Sequence, residues 1–260
     1  MSGLAFKAVV FDWAGTLIDH GSRAPMGVFV EAFARFDIPV TIDEARTPMG
    51  AAKRDHIKAM LTAPRIAGLW EKTHGSPPGE ADIDALYAVF LPMNEAVAAD
   101  HATLIPGAKQ TVDALRADGL KIGSTTGYTR SIMAKVLPVV ERQGLTVDAL
   151  VCAGDVAEGR PAPLGMYKIF AELGVYPPHQ VVKVDDTDVG IGEGVAAGTV
   201  TVGVTRSGNY VGKTEDELAA MPAEEVDALI AAAADRLRHA GADHIIDTVA
   251  DLPRLLADLS

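Results

Sequence analysis

Short apolar runs, each closed by a polar or glycine-rich turn, recur along the chain: "KAVVF", "LKIGST", "ALVCAG", "VVKVDD", "VTVGV" and, near the end, "HIID". They are rich in β-branched residues and too short for buried helices, so they predict strands. Between them, apolar positions fall at three- and four-residue spacing, as in "KQTVDALRADG" and "GMYKIFAELGV", which predicts helices. Asp118-Gly119 and Leu173-Gly174 supply glycine stops at their ends. Strands that are apolar throughout and alternate with helices belong to a parallel sheet covered on both faces.

From about Gly21 to Leu104 the pattern changes. No comparable strand occurs there, only helical patterns: "APMGVFVEAFARF", "PMGAAKRDHIKAML", "RIAGLWEKTHG" and "DIDALYAVFLPMNEAVAADH". "LIPGAKQT" then returns the chain to the sheet. The expected fold class is α/β, a Rossmann-like parallel-sheet core (1–20 and 105–260) with an inserted helical cap domain (21–104). Ligands in open α/β sheets bind beyond the carboxyl ends of the strands, so such a cap would close over the site and exclude water. The tail "EEVDALIAAAADRLRHAGADHIID" reads as an amphipathic helix feeding a last edge strand.

Composition narrows the partners. Hydrophobic residues make up 48% and charged residues 22% of the 260, a globular balance. A net charge of -12 leaves no basic excess for a nucleic acid or an anionic membrane, although a small anionic substrate feels only its local pocket. The single cysteine, Cys152, excludes an internal disulfide and a Cys-only zinc site, and its apolar run makes it a small core residue. The chain start shows no signal-peptide pattern, and no apolar run approaches the ~18 residues of a membrane span. A soluble, cytoplasmic protein is expected.

Four segments end core strands and carry polar groups. In "VVFDWAGTLID" the apolar run stops at Asp12, with Gly15 and Thr16 beyond, a layout suited to a carboxylate nucleophile at a strand tip. "GSTTGYT" puts Thr125, Thr126 and Gly127 at the end of the second core strand, where hydroxyls and free N–H groups suit phosphate oxygens. "GRPAP" holds Arg160 in a proline-stiffened segment, fit for bidentate phosphate binding. "VDDTD" brings Asp185 and Asp186 after an apolar strand. One strand-end aspartate is ordinarily a helix N-cap or turn residue. Several polar strand ends in one parallel sheet say more, because the topology gathers them at one edge.

In the expected cap, Thr47 is a suitable N-cap with Pro48 at the first helical position. Met49, Lys53 and His56 then share one helix face. A lysine in the first turns feels the positive helix end and loses water when the cap closes; both favour the neutral amine. Taken alone, though, a lysine is usually a solvated surface charge and a histidine usually structural.

The four strand-end segments, in this order, resemble the haloacid dehalogenase superfamily over residues 1 to about 20 and about 105 to 210. Within it, "FDWAGT", "MGAAKRDH" and "GSTTGYT" are similar to the phosphonatase (phosphonoacetaldehyde hydrolase) family. The resemblance implies cleavage of a carbon–phosphorus bond, with Asp12 as nucleophile and Lys53 forming a Schiff base. It implies Mg2+ held by Asp12, the Ala14 carbonyl and Asp186, and a homodimer through cap helices. It implies substrate contacts from Met49, Gly50, Thr126, Gly127, Tyr128 and Arg160, and beside Lys53 it makes His56 a proton shuttle. Asp185 stands where the fourth motif often has glycine, and Gly190 where it often has an acid, so Asp185 can share the metal role of Asp186.

Ala14 is the informative departure from the superfamily's phosphatases, which carry a second aspartate there to protonate an alkoxide leaving group. A carbon–phosphorus cleavage expels a carbanion instead, and an imine on Lys53 serves as its electron sink. Three other readings remain: a phosphate-ester phosphatase or phosphomutase, against which Ala14 argues; a haloacid dehalogenase, which needs no metal; and a non-catalytic phosphometabolite binder. "GNYVGKT" near residue 210 has one residue too few between its glycines for a phosphate-binding loop and reads as a surface loop. "GIGEGVAAG" has the wrong spacing for a dinucleotide site and reads as a helix packed closely on the sheet.

Overall fold

The computed structural model describes residues 5–260, so the first four residues of the expected core segment lie outside the described residues. Six strands form one parallel sheet: β1 (Ala8–Phe11), β2 (Lys121–Thr129), β3 (Ala149–Ala153), β4 (Val181–Asp185), β5 (Val200–Val204) and β6 (His244–Ile246). Their order is β3-β2-β1-β4-β5-β6, so the chain reverses direction of build between β1 and β4, where α/β sheets place their ligands. Val9 and Phe11 pack into one core cluster and Ala8 and Val10 into another, which is the two-faced burial expected of apolar strands. Cys152 is a buried core residue, as its sequence context suggests.

Between β1 and β2 lie five helices: α1 (Ala24–Ala34), α2 (Ile42–Arg46), α3 (Lys53–Thr62), α4 (Pro64–His74) and α5 (Glu80–Ala98). They share a hydrophobic cluster of their own, with Phe29, Phe33, Ile57, Trp70, Leu86 and Phe90 at its centre. The start of α1 is held by Asp19 Oδ2, which accepts the Ala24 N–H at 2.8 Å, and α2 opens with a Thr41/Glu44 capping box. The helix start expected at Thr47-Pro48 is displaced. Thr47 ends α2, with its hydroxyl donating back to the Asp43 carbonyl at 3.2 Å, and Gly50 at φ +92° interrupts any continuation. α3 therefore begins at Lys53, preceded by Ala52 with no side-chain cap.

The remaining helices cover the sheet: α6 (Ala108–Ala117), α7 (Arg130–Arg142), α8 (Leu164–Leu173), α9 (Asp188–Ala197), α10 (Glu215–Ala220), α11 (Ala223–His239) and α12 (Leu252–Asp258). Gly174 closes α8 in the left-handed conformation, as read from the sequence. The "GIGEGVAAG" segment is α9 packed on β4 and β5, and the alanine-rich tail is α11 leading to edge strand β6. Among the described residues no helix is long and apolar enough to cross a membrane.

Candidate active site

Asp12 follows β1 directly, and its N–H donates to the Val184 carbonyl at 3.0 Å, so it sits against the end of β4. There Asp185 is the last strand residue and Asp186 the next. Thr126 and Gly127 lie in β2 where its register with β3 breaks, between Thr125 and Thr129. The strand thus runs on through "GSTTGYT" instead of stopping before it. Core residues Asp12, Ala14, Thr126, Gly127, Tyr128 and Arg160 line a cavity of about 20 Å³, and Met49, Gly50 and Lys53 close it from the helical side. A Cβ on Gly127 would come within 2.9 Å of the Gly50 carbonyl oxygen, and one on Gly50 within 2.4 Å of Thr187 Oγ1. Two glycines therefore let the helical insertion rest its backbone on the strand tips.

Lys53 is 2% exposed and makes no ion pair among the described residues. Its Nζ meets Met49 Sδ at 3.8 Å and lies 5.2 Å from the Tyr128 ring centroid and 5.8 Å from that of Phe29. Loss of water brings its ammonium down from 10.5 to about 8, with Asp12 opposing the change. His56 is fully buried and stacks on Phe29 at 4.0 Å. Its Nε2 donates to the Ala45 carbonyl at 2.8 Å, which leaves Nδ1 as an acceptor, buried and unpartnered. Burial, then the Lys53 charge, hold this imidazole well below its ordinary value, so it is neutral. It lies behind Lys53 and does not line the cavity.

The opposite wall is strongly charged. Arg160 Nη1 pairs with Asp12 Oδ1 at 3.0 Å, its Nε with Glu193 at 3.0 Å, and its Nη2 donates to the Thr125 hydroxyl at 2.9 Å. Buried Lys183 reaches Asp185 at 3.1 Å, Glu193 at 3.4 Å and Thr125 Oγ1 at 2.8 Å. Four buried carboxylates (Asp12, Asp185, Asp186 and Glu193) thus face buried Lys183 and the Arg160 side chain, itself 5% exposed. The surplus shows in the titration of the acids. Burial and then Asp185 raise Asp12 to about 6, and burial with Asp185 and Asp12 lifts Asp186 well above the carboxylate range. Burial also pushes Asp185 up, but Lys183, Arg160 and Thr187 outweigh it and hold that carboxyl low.

Carboxylate oxygens of Asp12, Asp185 and Asp186 lie within 4.8 Å of one another. An all-oxygen set of crowded carboxylates could hold a hard divalent cation, which would relieve the strain on Asp12 and Asp186. Asp185 Oδ1 accepts the Thr187 N–H at 3.0 Å and hydroxyl at 2.7 Å while its Oδ2 pairs with Lys183. Asp186 accepts the Thr16 hydroxyl at 3.0 Å and the Asn209 N–H at 2.8 Å, so both side chains are held in place at the site.

Several residues here escape sequence reasoning. Ser22 lines the cavity from the first connection into the insertion, at φ 50°, with a buried and unpartnered hydroxyl. Lys183 and Glu193 form the ionic floor. A lone lysine inside "VVKV" and a lone acid among the small residues of "GIGEGVAAG" were the signals that could have found them. The "GNYVGKT" segment is no surface loop, for Asn209 is fully buried and donates its N–H to Asp186 Oδ2 at 2.8 Å.

A parallel sheet with a carboxylate at the central strand tip and an acidic pair on its neighbour defines a class, and the chain belongs to it: the haloacid dehalogenase-like hydrolase family matches residues 6–198. Its relatives are more particular. The phosphonoacetaldehyde hydrolase of Paraburkholderia xenovorans is 51% identical over 97% of this chain and 95% of its own. That of Aeromonas hydrophila is 44% identical over 98% and 92%. The crystal structure of a phosphonoacetaldehyde hydrolase-like protein from Oleispira antarctica superimposes with a TM-score of 0.96 at 42% identity, covering 100% of this chain and 95% of that one. The chain is an enzyme of the phosphonoacetaldehyde hydrolase family.

Proposed function

We propose that this enzyme hydrolyses the carbon–phosphorus bond of phosphonoacetaldehyde, giving acetaldehyde and phosphate, with magnesium. Residues 21–104 act as a movable cap over the core of residues 1–20 and 105–260. The observation that carries the reading is the buried Lys53 amine, brought down to about 8, in one cavity with Asp12 and with Ala14 in place of an acid. The names of the relatives support the substrate. A cavity of about 20 Å³ holds little more than a water, so helices α1–α5 must swing away to admit substrate and return to close the site. A homodimer, implied by the resemblance, and the cytoplasmic location expected from the sequence complete the reading.

The neutral Nζ of Lys53 attacks the aldehyde carbon, and loss of water gives a protonated imine. His56 Nδ1, unprotonated and unpartnered, takes up the proton that the lysine sheds on becoming neutral and returns it to the carbinolamine hydroxyl as that group leaves as water. Asp12 then attacks phosphorus in line. A P–O bond forms as the C–P bond breaks, and its electron pair flows into the imine to leave a neutral enamine. Thr126, the Gly127 N–H and Arg160 grip the phosphoryl oxygens, while Ser22, Met49, Gly50 and Tyr128 bound the aldehyde end. Magnesium, held by Asp12, the Ala14 carbonyl and Asp186 with Asp185 beside them, would offset repulsion between the carboxylate and the phosphonate. Water hydrolyses the aspartyl-phosphate; protonation and hydrolysis of the enamine release acetaldehyde and free Lys53.

The direct test is incubation with phosphonoacetaldehyde and magnesium while acetaldehyde and phosphate are assayed together. Equal release of both, stopped by excess chelator, is expected. Release of phosphate from sugar phosphates but none from phosphonoacetaldehyde would establish the phosphatase reading instead. Ala14→Asp probes the leaving group. An ionised carboxylate at position 14, in the same cavity as Lys53, favours the unreactive ammonium, so phosphonoacetaldehyde turnover should fall at least ~10-fold. Any weak ester hydrolysis should hold or rise, since an alkoxide gains a proton donor. Equal phosphonate turnover in a normally melting variant would make Ala14 a packing choice only.

A further inference from the structure

The segment from Thr205 to Lys213, which contains the glycine-rich "GNYVG", touches two things at once. On one side, the Asn209 N–H holds Asp186 Oδ2 at 2.8 Å. On the other, it receives Arg46, the last residue of α2. Arg46 Nη1 donates to the carbonyls of Gly21 at 2.9 Å and Asn209 at 3.0 Å, and to Asn209 Oδ1 at 3.2 Å; Nη2 donates to Gly212 O at 3.2 Å. Asn209 Nδ2 donates back to the Arg46 carbonyl at 3.4 Å. Gly212 has φ +64°, and a Cβ there would lie 2.7 Å from Arg46 Cζ, so the loop is shaped to receive the guanidinium. A second arm lies alongside. Arg236 of α11 covers the Tyr210 ring at 4.1 Å, pairs with Asp188 at 3.2 Å and reaches the Thr47 carbonyl at 3.5 Å.

Three of the four bonds donated by the Arg46 guanidinium leave the helical insertion, and the fourth goes to Gly21, the residue where the insertion joins the core. Those three all end on the core loop, at Asn209 and Gly212. The acceptors are neutral oxygens, so binding depends on the planar fork meeting several carbonyls at once, which an ammonium cannot reproduce. The same Ala45–Arg46 helix end accepts His56 Nε2, which ties it to the helix carrying Lys53. We infer that Arg46 is a positioning residue: its docking couples closure of the cap to the placement of Asp186, through Asn209. The inference rests on the reading of Asp186 as a magnesium ligand. By reciprocity, a cation bound at Asp186 favours the docked cap.

Two measurements on the full-length protein test this, with no substrate present: calorimetric titration with Mg2+, and amide hydrogen exchange across residues 205–213 with and without the metal. Arg46→Ala should bind Mg2+ about tenfold more weakly than the parent and exchange faster at Asn209, with Arg46→Lys in between. Mg2+ should slow exchange at Arg46–Lys53 in the parent and not in Arg46→Ala. Unchanged Mg2+ affinity in both variants overturns the coupling. Should Arg46→Ala fail to fold, Arg46→Lys alone decides by the same affinity. If the parent binds no Mg2+, the metal reading of Asp186 falls by itself. Asn209 exchange in metal-free Arg46→Ala then decides for the clasp when faster and against it when unchanged.

Discussion

Arginine at position 53 should reduce phosphonoacetaldehyde turnover by about ten-thousandfold or more, some 5.5 kcal/mol of barrier. A guanidinium stays protonated at any usable pH and cannot form the imine, although it fills nearly the same space. In the parent, borohydride with acetaldehyde should label Lys53 alone. The rate of trapping should rise with pH around a midpoint near 8, since neutral amine is the reactive form. A midpoint near that of free lysine, or trapping elsewhere, removes the imine from the mechanism. The same burial has a stability cost of definite sign. The folded-state value, about 8, lies below the 10.5 of the free side chain, so between them the unfolded chain binds more protons and stability rises with pH. Below 8 the folded protein bears the whole cost, about 3 kcal/mol. Lys53→Met should therefore be more stable than the parent by ~1–3 kcal/mol at pH 7, with the gap closing toward pH 10.5. Urea melts at both pH values measure it.

Asp12→Asn should be as damaging to turnover, with a loss of about ten-thousandfold or more. Asparagine keeps the shape but offers a neutral amide in place of the oxygen that attacks phosphorus. It also removes one of the carboxylates whose crowding raises Asp12 and Asp186, so Mg2+ affinity should fall as well. Borohydride labelling of Lys53 should survive, because the aldehyde is captured before the phosphoryl step. A variant that retains turnover removes the aspartyl-phosphate; one that also loses labelling shows that Asp12 acts on Lys53 first.

Much of the site was legible because its chemistry is local. Asp12 and Asp186 follow apolar strands directly, Arg160 sits in a stiff turn and Thr126 lies toward the end of β2, and parallel strands put their carboxyl ends on one edge whatever the details of packing. Lys53 and His56 could be put on one helix face from spacing alone, but the helix start could not. Gly50 at φ +92° breaks a pattern whose apolar spacing runs on unbroken. Ser22 was invisible because its use depends on a connecting turn with no periodicity.

What the amino-acid order determined by itself was the alternation of strands and helices, the helical insertion after β1 and the polar residues at the strand tips. Period and turn chemistry are properties of neighbours along the chain. Only the tertiary structure decided how those groups are charged and coupled. Lys183 and Glu193 belong to segments read only as a strand and a closely packed helix, yet they pair with each other beneath Arg160 and Asp185. Lys53 owes its value near 8 to burial without an ion-pair partner among the described residues, which no local pattern encodes. Arg46 and Asn209 lie 163 positions apart and meet only because the insertion folds back onto the sheet edge. Desolvation and Coulomb interaction depend on distance in space, so the chain order carries them only through the fold.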